Sequence, residues 1–330
     1  MNPFSYERAT APGAAIRSAS THGAKFLGGG TNLVDLMRYG VENPTALIDV
    51  NHLHFDEITR LPNGGVRIGA SVRNSDLANH QIIRTRYPLL SQALLNGASA
   101  QLRNMATTAG NLMQRTRCYY FMDTAFPACN KREPGSGCAA IKGFNRIHAI
   151  LGASDQCIAT NPSDMSVALA ALEATVHVEG PSGKRAIAFE DFHLLPGDTP
   201  HIETSLKPGE LITAVELPAP KYAKNSWYLK VRDRQSYAFA LVSVAAGLEL
   251  DGGKIKSAGL ALGGVAHKPW RSLEAEKSLT GAAPNAEAFR KAADLALAGA
   301  KPQKDNAFKI ELAKQSVVHA LTLAAKGAQA

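Results

Sequence analysis

Apolar and polar residues alternate between strand-like and helix-like patterns along the first third of the chain. Short apolar runs bounded by turn residues are typical of buried strands, and longer stretches with helical periodicity separate them. The predicted strands cover residues 25–27, 46–50 and 65–72, and the predicted helices cover residues 13–21, 32–38, 74–80 and 88–98. The first strand, helix and strand together predict a small βαβ-like unit.

The remaining pattern changes character after a Pro-rich, polar break at residues 218–221. Before the break, residues 164–172 predict a buried helix, and residues 175–179 and 183–188 predict a hairpin. After it, residues 227–232, 240–250 and 255–262 predict an antiparallel sheet, and residues 286–298 and 308–325 predict helices. The pattern therefore predicts a protein of mixed helix and strand with more than one domain.

Composition excludes several classes of protein. The chain has 330 residues, a formal net charge of +8 and 45% hydrophobic residues, and it contains no apolar run of the ~18 residues that a membrane span needs. Its basic residues are spread out, the longest group being Lys131–Glu133, so we expect no nucleic-acid binding. An ordinary solvated surface and a surface for an acidic protein partner are the two remaining interpretations of the charge. The N-terminus lacks the basic and apolar regions of a signal peptide, so we expect any export to depend on a partner that carries a signal.

The cysteines are the most concentrated chemical feature of the chain. All four fall in one stretch, at Cys118, Cys129, Cys138 and Cys157. Cysteines that served only as small buried side chains would be scattered, so the clustering indicates a shared ligand. Ten, eight and eighteen residues separate them, which is neither the paired spacing of a zinc ribbon nor that of a bacterial ferredoxin. The intervening loop is irregular because it contains Pro127, Pro134, Gly135 and Gly137.

Three interpretations of the cysteines compete at this stage. An iron-sulfur cluster and a structural zinc ion each take four thiolates and fit these residues about equally well. Two disulfides fit less well, because a chain of 330 residues buries a large core and does not need covalent cross-links. The residues alone leave the choice open.

A glycine-rich turn is the first motif with binding chemistry. In FLGGGTNLVDLM, residues 26–37, three glycines follow a predicted strand and precede a predicted helix. A backbone without side chains at this position can turn consecutive N–H groups toward an anion such as a pyrophosphate. The motif is neither GxGxxG nor a P-loop, and a plain tight turn is the competing interpretation.

Two further motifs offer polar side chains. In QLRNMATTAGNLM, residues 101–113, hydroxyls, an open backbone and an amide suit a phosphate or a ribityl chain, although ordinary Thr and Asx turns would also explain them. In ATNPSDMSVALAALEA, residues 159–174, either Ser163 or Asp164 can cap the buried helix, and Asp164 can also accept hydrogen bonds from ligand hydroxyls. Capping by itself would account for Asp164.

The ordered set of motifs resembles one protein family over nearly the whole chain. The set comprises GGGTNL, IGASV (68–72), QLRNMATTAGNL, PSDMSVALAAL, KPGELITAVELP (207–218), SYAFALVSVAAGL (236–248) and ALGGVAHKPWRS (261–272). It is similar to the FAD-binding (medium) subunits of the molybdenum hydroxylases, which include xanthine dehydrogenase, carbon monoxide dehydrogenase and aldehyde oxidoreductases. The cysteine-bearing insertion resembles the subset with a [4Fe-4S] cluster, in particular the periplasmic aldehyde oxidoreductase.

The resemblance implies an α+β architecture with a PCMH-type FAD-binding fold. Two α/β subdomains would cover residues 1–57 and 58–220, with the iron-sulfur insertion at about 115–157, and a C-terminal α+β domain with an antiparallel sheet and helices would cover residues 221–330. The implied FAD contacts are Phe26, Leu27, Gly28, Gly29, Gly30, Thr31, Asn32, Leu33, Thr107, Thr108, Gly110, Asn111, Asp164 and Lys230. Lys230 would approach the flavin ring, where a cation raises the flavin potential. Ala109 stands where many relatives have glycine, which puts a backbone contact there in doubt.

The resemblance also implies a role in electron transfer. Cys118, Cys129, Cys138 and Cys157 would hold one [4Fe-4S] cluster. A large partner subunit would oxidise an aldehyde at its molybdenum cofactor, and a small subunit with [2Fe-2S] clusters would carry the electrons to FAD on this chain, which passes them to an external acceptor. This chain would then have no catalytic residue, and its location would be periplasmic through a signal-bearing partner, or alternatively cytoplasmic.

Two other functions compete with this one. A stand-alone flavoenzyme of the same fold would need its own acid or base, for which His52, His54 and His148 are candidates by residue type only. A zinc-stabilised, non-enzymatic subunit would need only the cysteines.

Overall fold

Three separate β-sheets organise residues 1–327, the part of the chain that the computed structural model describes. The N-terminal sheet is parallel and has the order β1-β3-β2. Its strands are β1 (Ser5–Arg8), β2 (Ala24–Leu27) and β3 (Ala46–Asp49), and its helices are α1 (Pro12–Ala19) and α2 (Leu33–Arg38). The elements β2, α2 and β3 form the predicted βαβ unit. The pattern does not predict β1, because all its residues are exposed and show no alternation.

The second sheet is antiparallel and has the order β4-β5-β8-β6-β7. Its strands are β4 (Ile58–Arg60), β5 (Val66–Gly69), β6 (Thr175–Gly180), β7 (Gly183–Ala188) and β8 (Leu211–Leu217). The predicted β6–β7 hairpin is confirmed. Its neighbour β8 pairs with the much earlier β5, with Val215 opposite Ile68, so a segment of about 140 residues lies between the two paired strands.

Nine helices of the described chain belong to this middle region, and most are short. They are α3 (Asn74–Asn79), α4 (Gln81–Arg86), α5 (Pro88–Asn96), α6 (Ala100–Met105), α7 (Thr108–Leu112), α8 (Tyr119–Met122), α9 (Ala139–Lys142), α10 (Asp164–Ala171) and α11 (Phe189–Phe192). Every residue of α10 is buried, as predicted, because the helix packs against α5 on one side and against the C-terminal sheet on another. The single turns α8 and α9 interrupt the cysteine loop, which the sequence pattern predicts to be wholly irregular.

The C-terminal sheet is antiparallel and has the order β12-β11-β10-β9. Its strands are β9 (Ser226–Val231), β10 (Val242–Asp251), β11 (Lys254–Gly263) and β12 (Trp270–Arg271), and α12 (Leu273–Leu279), α13 (Ala286–Ala296) and α14 (Phe308–Lys326) cover one face. This confirms the predicted C-terminal α+β region. The exact domain limits stay a prediction. Among the helices of residues 1–327, none combines the length and apolar character needed to cross a bilayer.

Candidate functional site

The glycine-rich turn joins β2 to α2 at the carboxyl edge of the N-terminal parallel sheet. Within residues 1–327, the backbone N–H groups of residues 28–33 donate to no protein acceptor. Gly30 has a φ of +72°, a conformation that glycine adopts without strain and that reverses the chain into α2. A row of free N–H groups before a helix is the arrangement that binds phosphate groups in proteins. The free N–H groups agree with the anion-binding interpretation of the motif, which stays a prediction.

The Thr107–Asn111 turn packs directly against these glycines. A Cβ added at Gly29 would overlap the carbonyl oxygen of Met105, and one added at Gly28 would stand 2.8 Å from Thr107 Oγ1. Gly29 has no space for a side chain, and a side chain at Gly28 would require Thr107 to move. The two motifs, separated by more than seventy residues in sequence, thus form one continuous backbone surface.

The second turn differs from its prediction in one respect. The sequence predicts an open backbone here, but the N–H groups of residues 108–111 all donate within the protein: Thr108 to Val72 O, Ala109 to Ala70 O, Gly110 to Thr107 Oγ1 and Asn111 to Thr107 O. Thr107 caps α7, which accounts for two of these bonds. Any ligand contact from residues 108–111 must therefore come mainly from side chains.

Asn51 and Arg73 hold the two turns together, and the sequence reasoning does not identify either. The Asn51 amide donates to Gly28 O (3.0 Å) and to Asp49 Oδ1 (2.7 Å). Arg73 donates to Asn51 Oδ1 (3.2 Å) and to the carbonyl oxygen of Met105. The available signal is positional, since Asn51 follows β3 at the carboxyl edge where ligands bind in parallel sheets.

Asp164 and Lys230 form a buried ion pair between the middle region and the C-terminal sheet. Lys230 Nζ lies 2.7 Å from Asp164 Oδ2, and the Lys230 side chain is only 2% exposed. Tyr228 donates to the other carboxylate oxygen at 2.8 Å, and Lys230 also donates to Asn96 O at 3.0 Å. Burial raises the pKa of Asp164, and Lys230 is the largest influence that opposes the rise. The Asp164 carboxylate and the Lys230 amine thus both have hydrogen-bond partners within the protein.

Ser163 resolves the capping question that the sequence leaves open. Its hydroxyl oxygen accepts from Ser166 N at 2.9 Å and caps α10, while the same hydroxyl donates to Asn111 Oδ1 at 2.7 Å. Asp164 is therefore free of capping and is available for Lys230. The predicted site residues consequently lie along one path, from the glycine turn through the Thr107–Asn111 turn to Asp164 and Lys230.

The four cysteines converge, as their clustering in sequence predicts. Cys129 and Cys138 face each other in an isolated antiparallel bridge, and Cys118, Cys129 and Cys157 are buried in one small apolar cluster that Cys138 adjoins. All four are free thiols. Burial, with smaller contributions from Cys129 and Cys138, raises the pKa of Cys118 to about 12. A hydrogen bond with the Cys157 thiol lowers the pKa of Cys138 to about 6, and the same pairing with burial raises the pKa of Cys157.

The spacing of these thiols bears on what they can hold. In residues 1–327, no three His, Cys, Asp or Glu side chains are close enough to hold a single metal ion. A zinc site needs four donors around one ion, whereas each thiolate of a [4Fe-4S] cluster binds a different iron, so that the sulfurs stand farther apart. Cys138 and Cys157 are close enough to share a hydrogen bond, so the positions of the four free thiols do not by themselves decide between zinc and a cluster.

A partly buried ionic network links the cysteine loop to the glycine turn. Arg115 donates to Glu203 at 2.6 Å and to Glu42 at 2.5 Å, and its own backbone N–H donates to Asn32 Oδ1 at 3.0 Å. Lys131, only 1% exposed at its side chain, donates to Glu203 and to Pro200 O. The two cations hold the pKa of Glu203 down at about 2, against the opposing effect of burial. The Asn32 Nδ2 group is buried and has no partner among the described residues.

Comparison with known proteins gives consistent family matches. Residues 2–220 match the family described as the FAD binding domain in molybdopterin dehydrogenase, and residues 227–324 match the CO dehydrogenase flavoprotein C-terminal domain. The chain is 55% identical to the aldehyde oxidoreductase FAD-binding subunit PaoB of Escherichia coli over 97% of this chain and 98% of that protein. It is 28% identical to the glyceraldehyde dehydrogenase medium chain of Sulfolobus acidocaldarius, over 92% of this chain and 90% of that one.

Solved structures agree with these matches. A carbon monoxide dehydrogenase chain from Hydrogenophaga pseudoflava superposes with a TM-score of 0.78 at 26% identity, covering 99% of this chain and 100% of that chain. A chain of reconstituted CO dehydrogenase from Oligotropha carboxidovorans superposes with a TM-score of 0.79 at 24% identity, covering 99% of both chains, and supports the fold. The two family matches span nearly the whole sequence, and the chain therefore belongs to the FAD-binding medium subunits of the molybdenum hydroxylase family.

Proposed function

We propose that this chain is the FAD-binding electron-transfer subunit of a heterotrimeric, molybdenum-dependent aldehyde oxidoreductase. The observation that carries the proposal is the row of free N–H groups at residues 28–33, closed against the Thr107 turn, in a chain of this family. The 55% identity to an aldehyde oxidoreductase subunit favours an aldehyde as the substrate of the complex. The aldehyde site would lie on a partner subunit.

The residues of the site have chemistry that fits FAD. The N–H groups of residues 28–33 would receive the pyrophosphate, and the buried, unpartnered Nδ2 group of Asn32 offers one more donor. Side chains of Thr107, Thr108 and Asn111 would complete the phosphate and ribityl contacts. When bound, FAD supplies a carrier that collects single electrons and releases them to an acceptor.

Asp164 and Lys230 have a different role in this proposal. Their ion pair anchors the C-terminal sheet to the middle region, where the implied cleft would lie. Lys230 would hold its positive charge near the flavin ring while Asp164 keeps the amine in place. We therefore propose that the Asp164–Lys230 ion pair, rather than an isolated lysine, contacts the flavin.

The cysteines support a [4Fe-4S] cluster as the second cofactor. Four free thiols converge in an apolar cluster beside the ionic network that reaches Asn32. The proposed partners are a small [2Fe-2S] subunit and a large subunit with the molybdenum cofactor, and the proposed location is the periplasm, reached with a signal-bearing partner. The proposed division is two FAD-binding subdomains, 1–57 and 58–220, and a C-terminal domain from residue 221.

Metal and flavin analysis of the co-purified complex tests the proposal. We expect one FAD per complex and, in Cys138→Ser, a loss of about four irons relative to wild type, as one cluster requires. Gly13→Ala serves as the control, because an added Cβ there meets only the Arg17 side chain at 3.5 Å. Absence of flavin would contradict the function, whereas zinc in place of the four irons would contradict only the cluster.

A further inference from the structure

We propose that His148 is a positioning residue for the iron-sulfur cluster: its imidazole donates an N–H···S hydrogen bond to Cys118 and thereby raises the reduction potential of the cluster. The inference rests on the proposed [4Fe-4S] cluster. It assigns a defined role to a histidine that, by its position in the sequence, is only one of several candidates for acid–base chemistry.

The contact between the two side chains is direct and buried. His148 Nε2 lies 3.1 Å from Cys118 Sγ, and His148 is 1% exposed. The other ring nitrogen, Nδ1, has no hydrogen-bond partner within residues 1–327. Among the described residues, Cys118 Sγ is therefore the hydrogen-bond partner of the imidazole ring.

The direction of the hydrogen bond follows from the chemistry of the ligand. A cysteine that binds iron is a thiolate, has no proton, and can only accept. The imidazole must then carry a proton on Nε2, as it does in one neutral tautomer and in the charged form. Iron binding at Cys118 consequently selects the donating form of His148.

Three hydrogen bonds to residues other than the cysteines hold the backbone of His148. Its N–H donates to Asn145 O at 3.0 Å, and its carbonyl oxygen accepts from Lys309 Nζ at 2.9 Å and from Asn306 Nδ2 at 3.1 Å. Lys309 and Asn306 lie at the beginning of α14 and immediately before it. These contacts, two of them from the C-terminal domain, hold the backbone of His148 in place beside the cysteine loop.

The effect on potential has a definite sign. One-electron reduction converts the [4Fe-4S]²⁺ state to [4Fe-4S]¹⁺ and adds negative charge, part of which resides on the sulfurs. A hydrogen-bond donor to sulfur stabilises the more negative state, and hydrogen bonds of this kind are among the factors that set cluster potentials. Removing the donor should lower the potential.

Potentiometric titration of the purified complex, read by electron paramagnetic resonance, tests the inference. Dithionite supplies the electron and ferricyanide removes it. We expect His148→Leu to reduce the ratio of reduced to oxidised cluster about tenfold at a fixed potential, which is ~59 mV for one electron. His148→Gln keeps an N–H donor and should stay within about twofold of wild type, or ~18 mV. His177→Leu, in β6, is the control and should not change the potential.

Iron content separates failure of the inference from failure of the proposed function. A wild-type complex without the four extra irons would refute the cluster itself. A His148→Leu complex with full iron and an unchanged potential would overturn the role of His148 alone. If His148→Leu loses iron, a measurement on the wild-type complex tests the inference instead. With ¹⁵N-labelled histidine, the reduced wild-type cluster should show a weak ¹⁵N hyperfine coupling that is missing in His148→Gln. Absence of this coupling from the wild type would overturn the inference.

Discussion

Glu203 neutralises the buried Lys131 and the half-buried Arg115, and its replacement by glutamine should destabilise the region between the cysteine loop and the glycine turn. Its carboxylate contacts Lys131 Nζ and Arg115 Nε. Glutamine has nearly the same shape but no charge, so Glu203→Gln leaves Lys131 buried without a counter-charge. The perturbation is therefore electrostatic rather than steric.

The size of the effect follows from the pKa of Glu203. Lys131 and Arg115 hold this pKa at about 2, below the ordinary value of 4.5, although burial acts in the opposite direction. Since one pKa unit corresponds to ~1.4 kcal/mol, the ion pairs contribute on the order of 3 kcal/mol to the free energy of unfolding. Breaking a buried ion pair costs about 3–5 kcal/mol in other proteins, which is the same range. For a chain of this length, such a loss lowers the melting temperature by roughly 5 °C.

The pH dependence of the effect has a definite sign. The pKa is lower in the folded state, so the contribution is complete above about 4.5 and is lost as the pH falls toward about 2. The difference in stability between wild type and Glu203→Gln should be constant from about pH 5 to 8 and should shrink below about 4.5.

Thermal denaturation of the FAD-loaded protein, followed by circular dichroism and by flavin release, measures this difference. Glu249→Gln is the matched control, because Glu249 pairs at 2.7 Å with a lysine whose side chain is 62% exposed. An exposed pair contributes about 0–1 kcal/mol, so the control should melt within about 1–2 °C of wild type. Equal melting temperatures for the two variants, or a difference that persists unchanged in acid, would refute the reasoning.

Two further predictions concern the flavin site and the C-terminal domain. In Gly29→Ala, the added Cβ overlaps Met105 O and must displace one of the two turns, so we expect FAD binding to weaken at least about tenfold, measured by flavin fluorescence titration, while Gly13→Ala binds normally. Burial lowers the pKa of Lys309 to about 7 from 10.5, so the unfolded chain holds this proton more tightly, and stability rises with pH between those values. Wild type should therefore gain ~2–3 kcal/mol relative to Lys309→Met between pH 7 and 9, and a melting-temperature difference that does not change with pH would contradict this.

Local patterns predict the longer elements correctly and miss several short or exposed ones. The N-terminal βαβ unit, the buried helix α10 and the long strands of the C-terminal sheet are all visible in the sequence because their periodicity or continuous apolar character lies within one segment. The strands β1, β4, β8 and β12 are missed, as are the short helices α4, α6, α7, α8, α9, α11 and α12. All residues of β1 are exposed, and β8 finds its partner β5 far away in sequence, so the local pattern of neither strand indicates its pairing.

The candidate site likewise contains residues that the sequence predicts and contacts that only the folded chain creates. The glycines at Gly28–Gly30 are predictable because a backbone without side chains is a property of the residues themselves. The open backbone predicted for residues 108–111 is wrong, because all four N–H groups donate within the protein, two of them to Ala70 and Val72, which the sequence pattern does not bring near. Asn51 and Arg73 escape prediction for the same reason.

The sequence by itself determined the chemical inventory: four thiols in one stretch, three glycines before a helix, and an ordered set of motifs that identifies the family. Only the tertiary structure decided which groups meet. Asp164 pairs with Lys230 across 66 residues, His148 reaches Cys118 across 30, and Arg115 reaches Asn32 across 83. Residue type sets the charge and the hydrogen-bonding capacity of each group, but their energies depend on distance and burial, and these exist only once the chain has folded.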